Sequence, residues 1–231
     1  MNSSRMIWRA CSVQASKSTH DFPAAGPVRV LAHDLTLDAY HRLTGGGRVA
    51  WDIETNGLDP KEAMIGTCQI HSPEVGTFIV TGVAGRVPPL LTRLLANPRV
   101  VKVFHHAPFD LSFMAHAWSV EPCNVACTKI AAKILAPGEE AEKYSLKYLM
   151  ACHFGLVLDK KVRFTDWMSE SLSEEQLQYA TGDVIRLLEL YDLLKGKLEE
   201  RGLDGLYGEC AEFLSAHVRL RLHGCADPFS Y

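Results

Sequence analysis

No apolar run in these 231 residues approaches the ~20 that a membrane-spanning helix needs. Basic residues are not in excess either: 24 Lys and Arg stand against 27 Asp and Glu, a net charge of -3. That argues against a broad basic surface gripping long nucleic acid. It leaves room for a small anion bridged by bound cations, which supply positive charge locally. There is no P-loop. The one close cysteine pair, Cys123 and Cys127, has no second Cys/His pair at zinc spacing. Seven cysteines make an odd count, several of them inside apolar segments, so a reducing cytosol and a cytoplasmic protein are expected. No internal repeat and no Ser/Gly-rich linker divides the chain. Residues 1–27 are Ser-rich and carry no acid before Asp21. They read as a disordered tail outside the fold, with a targeting segment or a start at Met6 as the other accounts. One domain over 28–231 is expected, ending in a helical extension over about 204–222.

What is there begins with the stretch Val49–Pro60, a buried strand that stops abruptly in a Gly/Asp/Pro turn. Val28–Leu31 reads as a short strand before it, with a capped helix over Leu37–Leu43 between them. Ile65–Ile70 and Thr77–Val80 follow as strands on tight connections, which makes an antiparallel meander. A helix opened by Pro88 leads to Val100–Phe104, an apolar run read as a buried parallel strand. Helices are then expected over Pro108–Trp118, Cys127–Leu135, Ser145–Phe154, Ser173–Glu200 and Gly205–Leu222. Ser173 and Gln176 supply a capping box for the fourth. The sum is one α/β domain with a mixed sheet and helices on both faces.

Side chains alternate along a strand, so Asp52 and Glu54 share a face. Two carboxylates that close repel unless a cation lies between them. An isolated Asp-x-Glu is more often a solvated strand end, but other acids match it. His106 and Asp110 are four apart where the buried strand hands over to a helix. Tyr179 and Asp183 have the same spacing, and Asp183 lies on or beside an apolar helix stripe where aspartate is unusual. It would either meet a buried cation such as Lys129 or Arg163, or ligate a metal. Oxygen-only ligands suit Mg²⁺ or Mn²⁺ rather than zinc. Two such ions ~3.5–4 Å apart can clamp the attacking and leaving oxygens of a phosphodiester displacement.

Asp52-Ile53-Glu54, His106-Ala107-Pro108-Phe109-Asp110 and Tyr179-Ala180-Thr181-Gly182-Asp183, in that order, resemble the three-part signature of DEDD 3′–5′ exonucleases, tyrosine branch. The pieces around Cys127–Lys133, Tyr144–Leu149 and Thr165–Trp167 resemble the ribonuclease D catalytic domain. The resemblance runs from about Val28 to the end. Within the superfamily the nano-RNase C type is most similar, a short ribonuclease D relative that degrades very short RNA. The Asp166-Trp167-Met168-Ser169-Glu170 piece lacks the Arg-Pro of ribonuclease D proper, and a single helical extension replaces its helical RNA-binding domain.

The resemblance implies a ribonuclease H-like fold and two divalent cations, Mg²⁺ or Mn²⁺. Asp52, Glu54 and Asp183 would hold the ion that activates water, Asp52 would reach a second ion, and Asp110 would support that one. Tyr179 would orient the water, and nucleoside 5′-monophosphates would be released. Thr55, Asn56, Gly57 and Leu58 would meet the 3′ end, with Leu58 wedged between bases or else plugging the core. His106 would face a phosphate, and Lys102, Lys129, Lys147 and Arg163 are further basic candidates. The implied partners are short single-stranded RNA and further copies of the chain, with α-helical Phe213, Leu214, Val218 and Leu222 as an interface or as core. A DNA proofreading-like exonuclease, a ribonuclease D-like trimmer of structured RNA and a non-catalytic nucleic-acid-binding module are the other readings.

Overall fold

The computed structural model of the chain describes residues 26–158, 165–225 and 227–229. Arg163 and nearly all of the N-terminal stretch lie outside them. In chain order the elements are β1 (Val28–Ala32), α1 (Leu37–Gly45), β2 (Arg48–Thr55), β3 (Ile65–Ser72), β4 (Gly76–Thr81), α2 (Pro89–Leu95), β5 (Val101–Phe104) and α3 (Ala107–Trp118). Then come β6 (Val125–Cys127), α4 (Thr128–Leu135), α5 (Leu146–Phe154), α6 (Glu174–Val184), α7 (Leu187–Glu200) and α8 (Asp204–Leu222). Among the described residues the strands form one sheet in the order β1-β4-β3-β2-β5-β6. β2, β3 and β4 pair antiparallel, while β1, β5 and β6 join in parallel. This is the expected meander flanked by parallel strands.

Alternation along β2 decides which face carries the site. Val49, Trp51 and Ile53 enter a core with α1, α2 and α3, where Trp51 stacks on Phe104 at 6.0 Å. Ala50 faces the other way, into a core with α4, α5 and α7. Asp52 and Glu54 continue the Ala50 face toward the strand end. A register shift between Glu54 and Thr55 then re-aims the chain as it leaves the sheet.

Three expectations are corrected. Cys127, expected to open a helix, is instead the last of the three residues of β6, which pair with β5, and α4 starts at Thr128. So short a strand carries no periodic signal, and its existence depends on the neighbouring edge. The helix expected over Ser173–Glu200 breaks at Ile185 and Arg186. No Gly or Pro marks the break; Arg186 turns to lie over the Phe154 ring at 4.0 Å and pairs with Glu189. Lys102 is no substrate contact: it is fully buried, and its Nζ donates to the Asn97 carbonyl at 2.7 Å.

Leu214 and Val218 of α8 are buried in the chain's own core, whereas Phe213 is 40% exposed beside Phe229. No helix among the described residues is long and apolar enough to cross a membrane.

Candidate active site

A cleft of about 870 Å³ opens at the ends of β2 and β5, roofed by α4, α5, α6 and the segment before α6. All the acids singled out in the sequence line it: Asp52, Glu54, Asp110 and Asp183, with Tyr179 beside them. Carboxylate oxygens of Asp52, Glu54 and Asp183 lie within 4.8 Å of one another. Asp110, on the first turn of α3, is 3% exposed and stands outside that tight trio.

Each position has a local cause. Asp52 and Glu54 are two apart on one strand. His106 caps α3 in the left-handed region at φ 72°, which turns the chain sharply enough to bring Asp110 under the strand end. Asp183 is in the last turn of α6, which ends at Val184 before the break at Ile185, so that break orients the turn carrying it.

The acids are held at the limit of what a cleft tolerates. Burial, and then the charges of Asp110, Asp183 and Glu54, push the Asp52 carboxyl well above its ordinary range, against a hydrogen bond from the Ile53 backbone. Burial likewise raises Asp110 well above its range, although its own and the Ile53 N–H groups pull the other way. Such a cluster must take up protons or a cation. Oxygen-only donors at this spacing fit a hard divalent ion.

Around the acids the cleft wall is polar or apolar by position. Burial lowers His106 to about 4, helped by the charges of Lys129, Arg221 and Lys133. Its imidazole is therefore neutral near pH 7 and meets a ligand as a hydrogen-bonding group, not as a cation. Lys129 and Lys147 both line the cleft. The turn after β2 is clamped: Asn56 N donates to Met64 O at 3.2 Å, and Met64 N donates to Asn56 Oδ1 at 2.7 Å. Gly57 sits where a Cβ would come within 2.8 Å of Ala63 Cβ. Thr55 Oγ1 donates to Gly57 O at 2.7 Å, so its hydroxyl has only acceptor capacity left. The turn holds Leu58 out at 77% exposure, which rules out the core-plug alternative.

Sequence reasoning gave no site role to two groups that the fold brings in. Gln69 and Thr67 of β3 pair in register with Asp52 and Glu54 and are fully buried, with Gln69 Nε2 donating to Thr67 Oγ1 at 2.5 Å. Two polar residues alternating in a strand with no exposed face were the available signal. Asp166 and Trp167 line the cleft itself, although the sequence offered them only as family markers.

Residues 28–199 match the family model described as 3′–5′ exonuclease. The chain belongs to that 3′–5′ exonuclease family. Its place is in the ribonuclease D superfamily, and the enzymes of this family are metal-dependent phosphodiester hydrolases. The structure of Brucella melitensis NrnC superposes with a TM-score of 0.79 at 33% identity, covering 88% of this chain and 98% of that one. The same protein has been solved with bound Mg²⁺ and bound to pGG. Ribonuclease D of Bartonella henselae is 40% identical over 107 residues, which are 46% of this chain and 26% of that protein. Exosome complex component 10 of Rattus norvegicus is 33% identical over 174 residues, 74% of this chain and 19% of that protein. The chain thus spans about a quarter of the curated ribonuclease D relative it matches. The six-stranded mixed sheet of this exonuclease is the ribonuclease H-like fold of those neighbours.

Proposed function

We propose that this exonuclease is an exoribonuclease that removes nucleoside 5′-monophosphates from short oligoribonucleotides, dinucleotides included. One observation carries the reading: Asp52, Glu54 and Asp183 converge within 4.8 Å in a cleft shared with Asp110 and Tyr179. Asp52, Glu54 and Asp183 would hold one divalent ion, and Asp52 with Asp110 a second. Bound there, Mg²⁺ or Mn²⁺ would neutralise the acids, polarise the scissile phosphodiester and make water a better nucleophile. Tyr179 orients the water, and Leu58, exposed on its clamped turn, separates the last two bases without regard to sequence. Asn56 and Gly57 present backbone to the terminal ribose, Thr55 accepts from it, and neutral His106 hydrogen-bonds a phosphate.

The preference for short RNA has three supports. A cleft of about 870 Å³ is on the scale of a drug-sized ligand, a nucleotide or two. A net charge of -3 suits a substrate that releases few counterions. Near-complete coverage of NrnC, a protein solved with pGG, points the same way. A homo-oligomer would use the exposed Phe213 side of α8, since Leu214 and Val218 are already committed.

The test is a length series at fixed salt with Mg²⁺ or Mn²⁺, comparing a labelled RNA dinucleotide, a longer RNA and a matched DNA. Fastest nucleotide release from the dinucleotide is expected. Preference for the DNA or the longer RNA would transfer the assignment to a proofreading-like or trimming enzyme. No release from any substrate would leave a binding module.

A further inference from the structure

The Tyr179 hydroxyl lines the cleft as an uncharged group whose chemistry depends on its orientation, and the fold builds a support behind it. The Trp167 ring lies 5.8 Å from the Tyr179 ring at 45° and is 2% exposed. Trp167 and Ala180 share a small core with Ile79 of β4, separate from the two main cores. The Trp167 backbone is seated directly on β3: a Cβ at Gly66 would fall 2.3 Å from the Trp167 carbonyl oxygen. No side chain fits there, so Gly66 is what lets the segment descend onto the sheet. The segment is also tied to the helix that carries Tyr179. Gln176 Nε2 donates to Thr165 Oγ1 at 3.0 Å and to the Asp166 carbonyl at 2.9 Å. Gln176 Oε1 accepts from Ser173 N at 2.9 Å, completing the capping box that starts α6. One buried amide therefore fixes the helix start and the Trp167 segment to each other, one turn before Tyr179.

We propose that Trp167, seated on Gly66 and anchored through Gln176, is the positioning residue that fixes the Tyr179 ring beside the acid cluster. In this role Trp167 acts through the Tyr179 ring, its own ring being 2% exposed. The proposal rests on the reading of Tyr179 as the residue that orients water.

The experiment uses Trp167→Leu and Gln176→Glu, each in the native and the Tyr179→Phe background. Gln176→Glu keeps the acceptor for Ser173 and loses both donors to the segment. If Trp167 works through Tyr179, each change lowers kcat about tenfold with KM within about twofold in the native background, and changes kcat less than about twofold once Tyr179 is Phe. An equal proportional loss in both backgrounds, or a loss confined to KM, overturns the proposal. Should Trp167→Leu fail to fold, Gln176→Glu, nearly isosteric, decides alone. Spectra of ¹³C-labelled tyrosine, with the Tyr179 signals assigned by their loss in Tyr179→Phe, supply an arm independent of turnover. Broadening or displacement of those signals in Gln176→Glu, which keeps the Trp167 indole, supports the proposal, and unchanged signals there overturn it. If the unmodified protein releases no nucleotide, the exonuclease reading of this chain fails, and the spectra still decide whether Trp167 orients the ring.

Discussion

Replacing Asp52 by Asn should destroy activity and make the metal-free protein more stable. Asp52 faces Glu54 and Asp183 with oxygens inside 4.8 Å. At that separation each like-charge pair costs about 3.5 kcal/mol at an effective dielectric of 20 and about 0.9 kcal/mol in bulk water. Asn keeps an acceptor for the Ile53 N–H that Asp52 receives. It removes both repulsions, together with the one from Asp110, which acts on Asp52 more strongly than either. Partial protonation and counterions relieve some of this strain beforehand, so a gain of about 2–3 kcal/mol is expected, or roughly 5–10 °C in Tm for a chain of this size. The assay is thermal unfolding in chelator and again in saturating Mg²⁺. A ligand at a hundred times its Kd adds about 2.7 kcal/mol, so Mg²⁺ should raise the unmodified protein to or above the variant, which gains little. Equal or lower stability of Asp52→Asn in chelator would refute the view that these acids are held against their own repulsion for the sake of an ion.

Asp110→Asn should lose Mn²⁺-dependent nucleotide release by at least about a hundredfold while retaining a cooperative unfolding transition; near-native activity would remove Asp110 from the site. Tyr179→Phe should lower kcat far more than it raises KM, read from initial rates on a dinucleotide. Leu58→Ala should raise KM and leave stability within about 0.5 kcal/mol, because the side chain is 77% exposed. Burial lowers the Lys102 amine from 10.5 to about 8. The unfolded chain therefore binds the proton more tightly, and Lys102 costs stability below about pH 8, a cost that fades as pH rises toward 10.5. The full fall is worth at most about 3.4 kcal/mol and about half that after screening. Lys102→Met should accordingly be more stable at pH 7 by about 1–3 kcal/mol in urea unfolding, with most of the advantage gone at pH 10.

The site was more legible in the sequence than its supports were. Asp52 and Glu54 announce themselves by strand alternation, His106–Asp110 and Tyr179–Asp183 by helical spacing, and Asp183 further by standing on or beside an apolar stripe. Such spacings are local and survive without knowledge of the fold. The break at Ile185 was invisible, because it follows from Arg186 reaching the Phe154 ring, thirty-two residues away in the chain. β6 was missed for the same reason, since it exists by virtue of β5. Lys102 looked like one more surface cation, and only the sheet order shows that it is enclosed. Gln69 and Trp167 gave compositional hints, but their use depends on register and on a contact with Gly66 that sequence spacing does not encode.

The acids are drawn from β2, α3 and α6, and the last of them, Asp183, arrives more than a hundred residues after the first. A growing chain, or a fragment ending before α6, holds three carboxylates but lacks the helix that closes them into a shared pocket. The trio within 4.8 Å is therefore complete only when α6 packs against the sheet, and a cut between α3 and α6 would separate Asp183 from the acids it meets.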